Sequence, residues 1–334
     1  LPASLRPQGA SSEETLYPYR EGVTSAAVSW FDSATTGWAN WSLDALRTAK
    51  NDTTVAVVIP AKNEEATIGE IIDGIGEKLT GDNGLVDELL VIDSDSRDNT
   101  AAVANEHGAT VHAARSIRPD LGCFPGKGEA LWKSQFVTSA DVLVFIDADL
   151  TEWGPHFVTG LLGPMLANAD IQLVKGFYDR VADDARHHQA PQGGRVTELV
   201  ARPLLNLWCP ELSRVVQPLA GEWAVRRSAF EQQSVPTGYG VEIATLLDVY
   251  GRDGLAAIAQ VDLGERAHSH QSVHDLGVMA AELLAVVSRR LGADARKPQE
   301  DLWQFDRTAT PQWRARTVPL TERPPARAIE EAPC

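Results

Sequence analysis

From Val55 onward the apolar positions change period in a regular rhythm. VAVVIP (55–60) is an unbroken apolar run of strand length, and ATIGEIIDGIGEKL (66–79) spaces its apolar residues as an amphipathic helix does. DELLVID (87–93) returns to a strand, DNTAAVANEHG (98–108) reads as a helix capped by Asp98 or Asn99 and stopped by Gly108, and ATVHA (109–113) is a third short strand. GEALWKSQFVTSA (128–140) predicts another helix and VLVFIDADL (142–150) a fourth strand. Strands alternating with helices imply an α/β fold, a Rossmann-like and mostly parallel sheet covered on both faces.

Beyond 155 the rhythm loosens. HFVTGLLGPMLAN (156–168), RVTELVARPLLNLW (195–208), VEIATLLDVYGRDG (241–254) and VHDLGVMAAELLAVVSRRLG (273–292) predict helices, and IQLVKGFYDR (171–180) and AIAQVDL (257–263) strands. A polar loop punctuated by Gly and Pro runs from 181 to 194, long enough to suggest function. The expected divisions are an N-terminal extension (1–52), a first α/β region (53–154), a second, less regular region (155–293) and a Pro-rich tail (294–334). The extension is expected to begin raggedly, with a short helix within WANWSLDALRTAK (38–50), and the tail to be irregular, wrapping the body or meeting a partner.

Composition narrows the function classes. The chain has 334 residues with a formal net charge of −16, which repels nucleic acid and anionic membranes at long range. No apolar run approaches the ~20 residues of a membrane span. Residues 1–25 lack the basic-then-apolar pattern of a signal peptide. Three scattered cysteines, Cys123, Cys209 and Cys334, argue against a disulfide framework and suit a cytoplasmic protein.

Polar chemistry collects where the predicted strands end: IPAKNEE (59–65), IDSDSRDNT (92–100), FPGKGEA (124–130) and IDADL (146–150). In open parallel sheets ligands sit outside those carboxyl ends. FPGKGEA does not fit a triphosphate loop, which needs Gly-x-x-x-x-Gly-Lys-Ser/Thr, yet Lys127 between two glycines at a helix start suits a phosphate. No Gly-x-Gly-x-x-Gly follows the first strand, so no dinucleotide fingerprint is present. Because side chains alternate along this strand, Asp147 and Asp149 are expected to point the same way and repel. A divalent ion, Mg²⁺ or Mn²⁺, bridging a diphosphate would relieve that repulsion.

These motifs carry a family resemblance. VVIPAKNEEATIG, ELLVIDSDSRDNT, PGKGEALW, VFIDADL, IQLVKGFYDR, GGRVTELVARPLL, QPLAGEWA, GYGVEI and AIAQVDLGERAH resemble, in order, the glucosyl-3-phosphoglycerate synthases, retaining glycosyltransferases of the A-type fold. The resemblance implies that Pro60, Ala61, Glu64 and Ser94 line the nucleoside pocket and that Lys127 reaches the nucleotide. It implies that Asp147, Ala148 and Asp149 meet the ribose and diphosphate, with Asp149 and His268 as metal ligands. Catalytic roles would fall to Glu242, the backbone at Leu219 and Asp149. Gly194, Arg195, Val196, Thr197, Tyr239, Arg266 and His270 would bind the phosphoglycerate. The expected reaction moves glucose from UDP-glucose to 3-phosphoglycerate in a cytoplasmic homodimer, a step toward glucosylglycerate. Rival readings are a mannosyl-3-phosphoglycerate synthase using GDP-mannose, a nucleotidyltransferase, and a non-catalytic sugar-nucleotide module. Two positions depart from the family pattern: His270 stands in place of Asn and Lys62 in place of Leu.

Overall fold

The computed structural model describes residues 21–81, 83–181, 194–267, 272–292, 301–306 and 312–330. The first half is the expected βαβ series. Strand β2 (Val55–Ala61) leads through α3 (Ile68–Leu79) to β3 (Glu88–Asp93), and α4 (Thr100–Glu106) leads to β4 (Thr110–Ala113). Helix α5 (Lys127–Ser134) leads to β5 (Val142–Phe145), and α6 (His156–Ala167) to β6 (Leu173–Val181). Val55 to Ile59 are fully buried. Even-numbered residues of β2 pack into one core cluster and odd-numbered ones into the other, which is why the strand reads as continuous apolar sequence.

Eight strands form the main sheet in the order β1-β9-β6-β7-β5-β2-β3-β4. All neighbours are parallel except β7 (Trp223–Arg226), which runs antiparallel between β5 and β6. The sequence reading missed β7, because four residues are too short to show a period. β5 also stops at Phe145, although Ile146 N–H still donates to the Val58 carbonyl at 3.2 Å. The Asp147 and Asp149 directions therefore come from the turn beyond the strand.

The second half adds α7 (Arg202–Trp208), the short α8 (Arg227–Phe230), β8 (Val235–Pro236), α9 (Val241–Asp253), β9 (Ile258–Ala267) and α10 (Val273–Arg290). The predicted helix from 195 is interrupted by a π-helical turn over Thr197–Ala201, just before Pro203, whose nitrogen cannot donate to the preceding turn.

The described parts of the extension and the tail are more regular than their composition suggests. The expected ragged start lies outside the described residues; helix α1 (Glu21–Ala34) follows, and Trp30 is buried with its indole N–H 2.8 Å from the Ile258 carbonyl. It feeds β1 (Thr35–Gly37), which extends the sheet beside β9, and α2 (Leu43–Lys50) follows. The tail forms a hairpin of β10 (Asp301–Asp306) and β11 (Gln312–Thr317). Strand β12 (Glu322–Arg323) then pairs antiparallel with β8, and α11 (Ala326–Glu330) follows. The tail therefore wraps the body, as expected, but through regular pairing. Pro319 lies just beyond β11, where no ladder donor is lost.

Candidate active site

The loops after β2 and β3 lock together. Asn63, at φ 60°, takes a hydrogen bond from Arg97 N–H at 2.8 Å and gives its own N–H to the Ser96 hydroxyl at 2.9 Å. Glu65 accepts from Asn99 N–H at 2.8 Å, and the Ser94 N–H donates to the Ala61 carbonyl at 2.9 Å. The Thr67 hydroxyl donates to the Ala148 carbonyl at 2.6 Å, joining this wall to the Asp-x-Asp turn. Pro60, Ala61, Glu64 and Ser94 all belong to this wall. Burial, with Asp149, Asp98 and Asp147 nearby, pushes the Glu64 carboxyl up to about 7.

Lys127 begins α5 between two glycines packed too tightly against the 236–238 backbone to carry a side chain. Gly126 sits at φ 128°, and a Cβ on Gly128 would overlap the Pro236 carbonyl. The Gly128 and Glu129 N–H groups donate to the Gly238 and Thr237 carbonyls at 3.1 and 2.9 Å. The ammonium lies 2.5 Å from Asp147 Oδ1 and 2.9 Å from Glu242 Oε1. Burial opposes a charge on Lys127, but Asp147 and Glu242 outweigh it and raise its pKa well above the usual lysine range.

A second cation faces the pair. Arg266 Nη2 is 3.3 Å from Asp147 and 2.9 Å from Asp149, while Nη1 is 3.1 Å from Glu222 and 2.6 Å from the Tyr178 hydroxyl. The β6–β9 register slips between Phe177 and Asp179, where β9 carries one extra residue around Gly264 at φ 84°. That bulge turns Arg266 inward and leaves Glu265 exposed. Burial would raise the Asp147 carboxyl, yet Lys127 and Arg266 hold it down at about 2. The carboxylates' repulsion is thus already offset by protein cations. The site is also less open than a strand-end rim suggests: the Asp147 side chain is 21% exposed and that of Asp149 43%.

Four participants were not singled out from the sequence. Glu222 is fully buried under Arg266. Gly221 lies so close to Asp147 that any Cβ would overlap its carboxylate. Lys175 is buried, donates to the Ala220 carbonyl at 2.8 Å and is lowered to about 8 by desolvation. Glu282 accepts the Gly240 N–H at 2.9 Å at the start of α9, the helix whose first turn carries Glu242. Leu219 lies in the same Gln217–Glu222 turn as Gly221. In the sequence the three charged residues read as ordinary surface charges and Gly221 as a turn glycine, with no local signal of their burial.

The predicted acceptor residues are spread more widely. Tyr239 is part-exposed in the loop before Glu242, and Arg266 belongs to the charge cluster. Gly194, Arg195, Val196 and Thr197 open the π-helical segment, with Val196 and Thr197 buried and Arg195 exposed. His268 and His270 lie outside the described residues. Among the described residues no group of three or more His, Cys, Asp or Glu could hold a metal. Asp147 has both oxygens engaged by cations. Asp149, half-exposed and a hard oxygen donor, fits a divalent ion better.

Comparison with known proteins identifies this arrangement. Residues 56–232 match the model of glycosyl transferase family 2. The glucosyl-3-phosphoglycerate synthase of Mycobacterium tuberculosis is 48% identical over 255 residues, covering 75% of this chain and 78% of that protein. That of Petrotoga mobilis is 46% identical over 242 residues, covering 72% and 74%. The crystal structure of the M. tuberculosis enzyme with Mn²⁺, UDP-glucose and phosphoglyceric acid superposes with a TM-score of 0.78 at 43% identity, covering 88% of this chain and 98% of that one. The glycosyltransferase A-type fold expected from the resemblance is the fold observed. The chain belongs to the glucosyl-3-phosphoglycerate synthases within glycosyl transferase family 2.

Proposed function

We propose that this enzyme transfers glucose from UDP-glucose to the hydroxyl of 3-phosphoglycerate, with retention, using Mg²⁺ or Mn²⁺. The observation that carries the reading is Lys127, one ammonium joining Asp147 to Glu242 in a chain that superposes on a relative holding Mn²⁺, UDP-glucose and phosphoglyceric acid.

In this reading Pro60, Ala61, Glu64 and Ser94 hold the nucleoside, and Lys127 and the Asp147–Asp149 turn meet ribose and diphosphate. Asp149 and His268 would hold the divalent ion, which when bound neutralises the leaving diphosphate as a Lewis acid. Glu242 accepts hydrogen bonds from the sugar hydroxyls. Its carboxylate is held 2.9 Å from the Lys127 ammonium and is assigned no covalent step. Retention then follows a front-face course, with the incoming hydroxyl's proton passing to the leaving diphosphate. Lys127 stays charged throughout, because its proton is held far more tightly than that of a free lysine. Gly194, Arg195, Val196, Thr197, Tyr239, Arg266 and His270 bind the acceptor.

The catalytic unit is proposed to be a cytoplasmic homodimer. Leu199, Leu207, Trp208, Trp303 and Trp313 expose large apolar side chains that a second copy would cover. Light scattering of the purified protein tests this, and a monomer at micromolar concentration would refute it. The activity itself is tested with 3-phosphoglycerate, Mn²⁺ and a panel of UDP-glucose, GDP-glucose and GDP-mannose. Mass spectrometry and the anomeric proton coupling of the product identify sugar and stereochemistry. A preference for GDP-mannose would overturn the reading. Lys62, exposed beside the nucleoside wall, is the first position to revert to Leu if the base preference differs from uracil.

A further inference from the structure

The C-terminal segment from Val318 to Glu330 crosses the back of this site as a strap. Val318 and Ala326 anchor it by burial, Arg289 donates to the Leu320 carbonyl at 3.1 Å, and Arg327 N–H donates to the Glu231 carbonyl at 3.1 Å. Between the anchors, Glu322 and Arg323 pair with Pro236 and Val235 of β8. Successive strand residues point to opposite sides, and here each side is a different helix.

Arg323 points to α5. Its guanidinium grips Glu129 with two hydrogen bonds, 2.7 Å from Nε and 2.6 Å from Nη2, and both residues are buried. The same group donates to the Leu121 carbonyl at 2.8 Å and the Gly122 carbonyl at 3.1 Å. It also stacks between Phe124 at 4.5 Å and Trp132 at 4.6 Å, and the Trp132 indole N–H returns to the Pro324 carbonyl at 2.8 Å. Leu121, Gly122 and Phe124 precede Lys127, and Glu129 and Trp132 follow it. Arg323 therefore brackets Lys127 from both sides. Glu322 points the other way, 2.8 Å from Arg290, which is held at 2.9 Å by Asp248 of α9, the helix that carries Glu242. A third link passes through Thr237, whose N–H donates to the Thr321 carbonyl at 3.1 Å and whose carbonyl accepts Glu129 N–H at 2.9 Å.

We propose that Arg323 is a positioning residue of the donor site, and that the strap sets where the Lys127 ammonium lies relative to Asp147 and Glu242. A buried ion pair is a poor way to gain stability, since an apolar pair of similar volume does as well or better. Its planar fork, by contrast, fixes geometry in a way that a lysine cannot. The pair's contacts converge on the approach and first turn of α5, beside the backbone hydrogen bonds that Gly128 and Glu129 make to Gly238 and Thr237.

The inference rests on the UDP-glucose reading, so its test includes a binding measurement that does not depend on turnover. Three proteins are compared: the parent, Arg323→Lys, and the apolar double variant Glu129→Leu/Arg323→Met. The affinity for UDP with Mn²⁺ is measured by calorimetry, and kcat, KM for each substrate and the melting temperature are determined alongside. The double variant should melt close to the parent, yet bind UDP more weakly and turn over more slowly by roughly 10- to 100-fold, the usual loss when an outer support of a site is removed. KM for 3-phosphoglycerate should hold within about twofold, because only uniform acceptor binding would move it. Arg323→Lys should fall between the two. A folded double variant with parental UDP affinity and kcat overturns the proposal. So does an equal loss for donor and acceptor that tracks the melting temperature, or failure of both variants to fold, because each makes the pair merely structural. A parent that binds UDP but transfers no glucose would refute the functional reading instead, and the calorimetric comparison would still decide the role of Arg323.

Discussion

The two halves of the site are built differently. In the donor half, between Val55 and Leu150, the strand-end loops hold one another through hydrogen bonds such as Asn63 with Ser96 and Thr67 with Ala148, and the buried Glu129–Arg323 pair stands behind them at the start of α5. In the other half, buried charges do the holding: Glu222 lies under Arg266, Lys175 under the Gln217–Glu222 turn, and Glu282 under the start of α9. Substitutions in the first half should therefore separate function from stability. In the second half the two should fall together.

The largest effect is expected at Asp149. Asp149→Ala removes the proposed metal ligand, and a Lewis acid contributes several kcal/mol of charge stabilisation, so kcat should drop by about three orders of magnitude at 1.36 kcal/mol per decade. Arg266 keeps Asp147 and Glu222, so the melting temperature should barely change. EDTA should mimic the substitution. A variant with near-parental turnover would remove Asp149 from the metal site.

Glu222→Ala tests the opposite behaviour. It strips Arg266 of its most buried partner, and breaking a buried pair costs about 3–5 kcal/mol of stability. Chemical denaturation should show that loss, with activity falling alongside it. If stability survives while activity collapses, the contrast between the halves fails.

Arg195 should behave as a donor-half residue despite its place in the chain. It is exposed, so Arg195→Ala should cost what a charged hydrogen bond to the phosphoglycerate contributes, about 1.5–3 kcal/mol, rather than the penalty of a broken buried pair. Initial rates should show a raised KM for 3-phosphoglycerate with the affinity for UDP unchanged. Weaker UDP binding with intact acceptor affinity would move Arg195 to the donor side.

How much of this was legible follows the same division. Every strand and helix between Val55 and Phe145 could be read, because each is a local period, and the strand-end motifs fell on one rim because parallel topology puts them there. That topology brings the Lys127 ammonium to Asp147, at 2.5 Å, as motifs on one rim should. β7 was too short to show a period, and the bulge at Gly264 that aims Arg266 is a matter of register between distant strands. Glu222, Lys175 and Glu282 look like ordinary surface charges in the sequence. Their partners Arg266, Ala220 and Gly240 lie 44, 45 and 42 residues away along the chain. The tail misled through its proline content, since Pro319, Pro324 and Pro325 lie outside β11 and β12.

The smallest expected effect is a pH dependence at Glu282. Desolvation pushes its carboxyl up to about 7, against 4.5 for a free glutamate. The folded state therefore holds a proton that the unfolded chain has released between those values. The stabilisation is complete below about pH 4.5 and is lost as pH rises through 7, with a slope of at most about 1.4 kcal/mol per pH unit from one proton. Glu242 is the acid that adds to the shift, while the Gly240 and Tyr239 N–H groups oppose it. Glu282→Gln keeps an acceptor for Gly240 and removes the titration. Its stability curve should run flatter than the parent's from pH 5 to 7, with the two compared at each pH because Glu64 has a raised pKa in both proteins. Parallel curves would show that Glu282 titrates as a free carboxylate, and the loop carrying Tyr239 and Glu242 would then rest on hydrogen bonding alone, as the donor loops do.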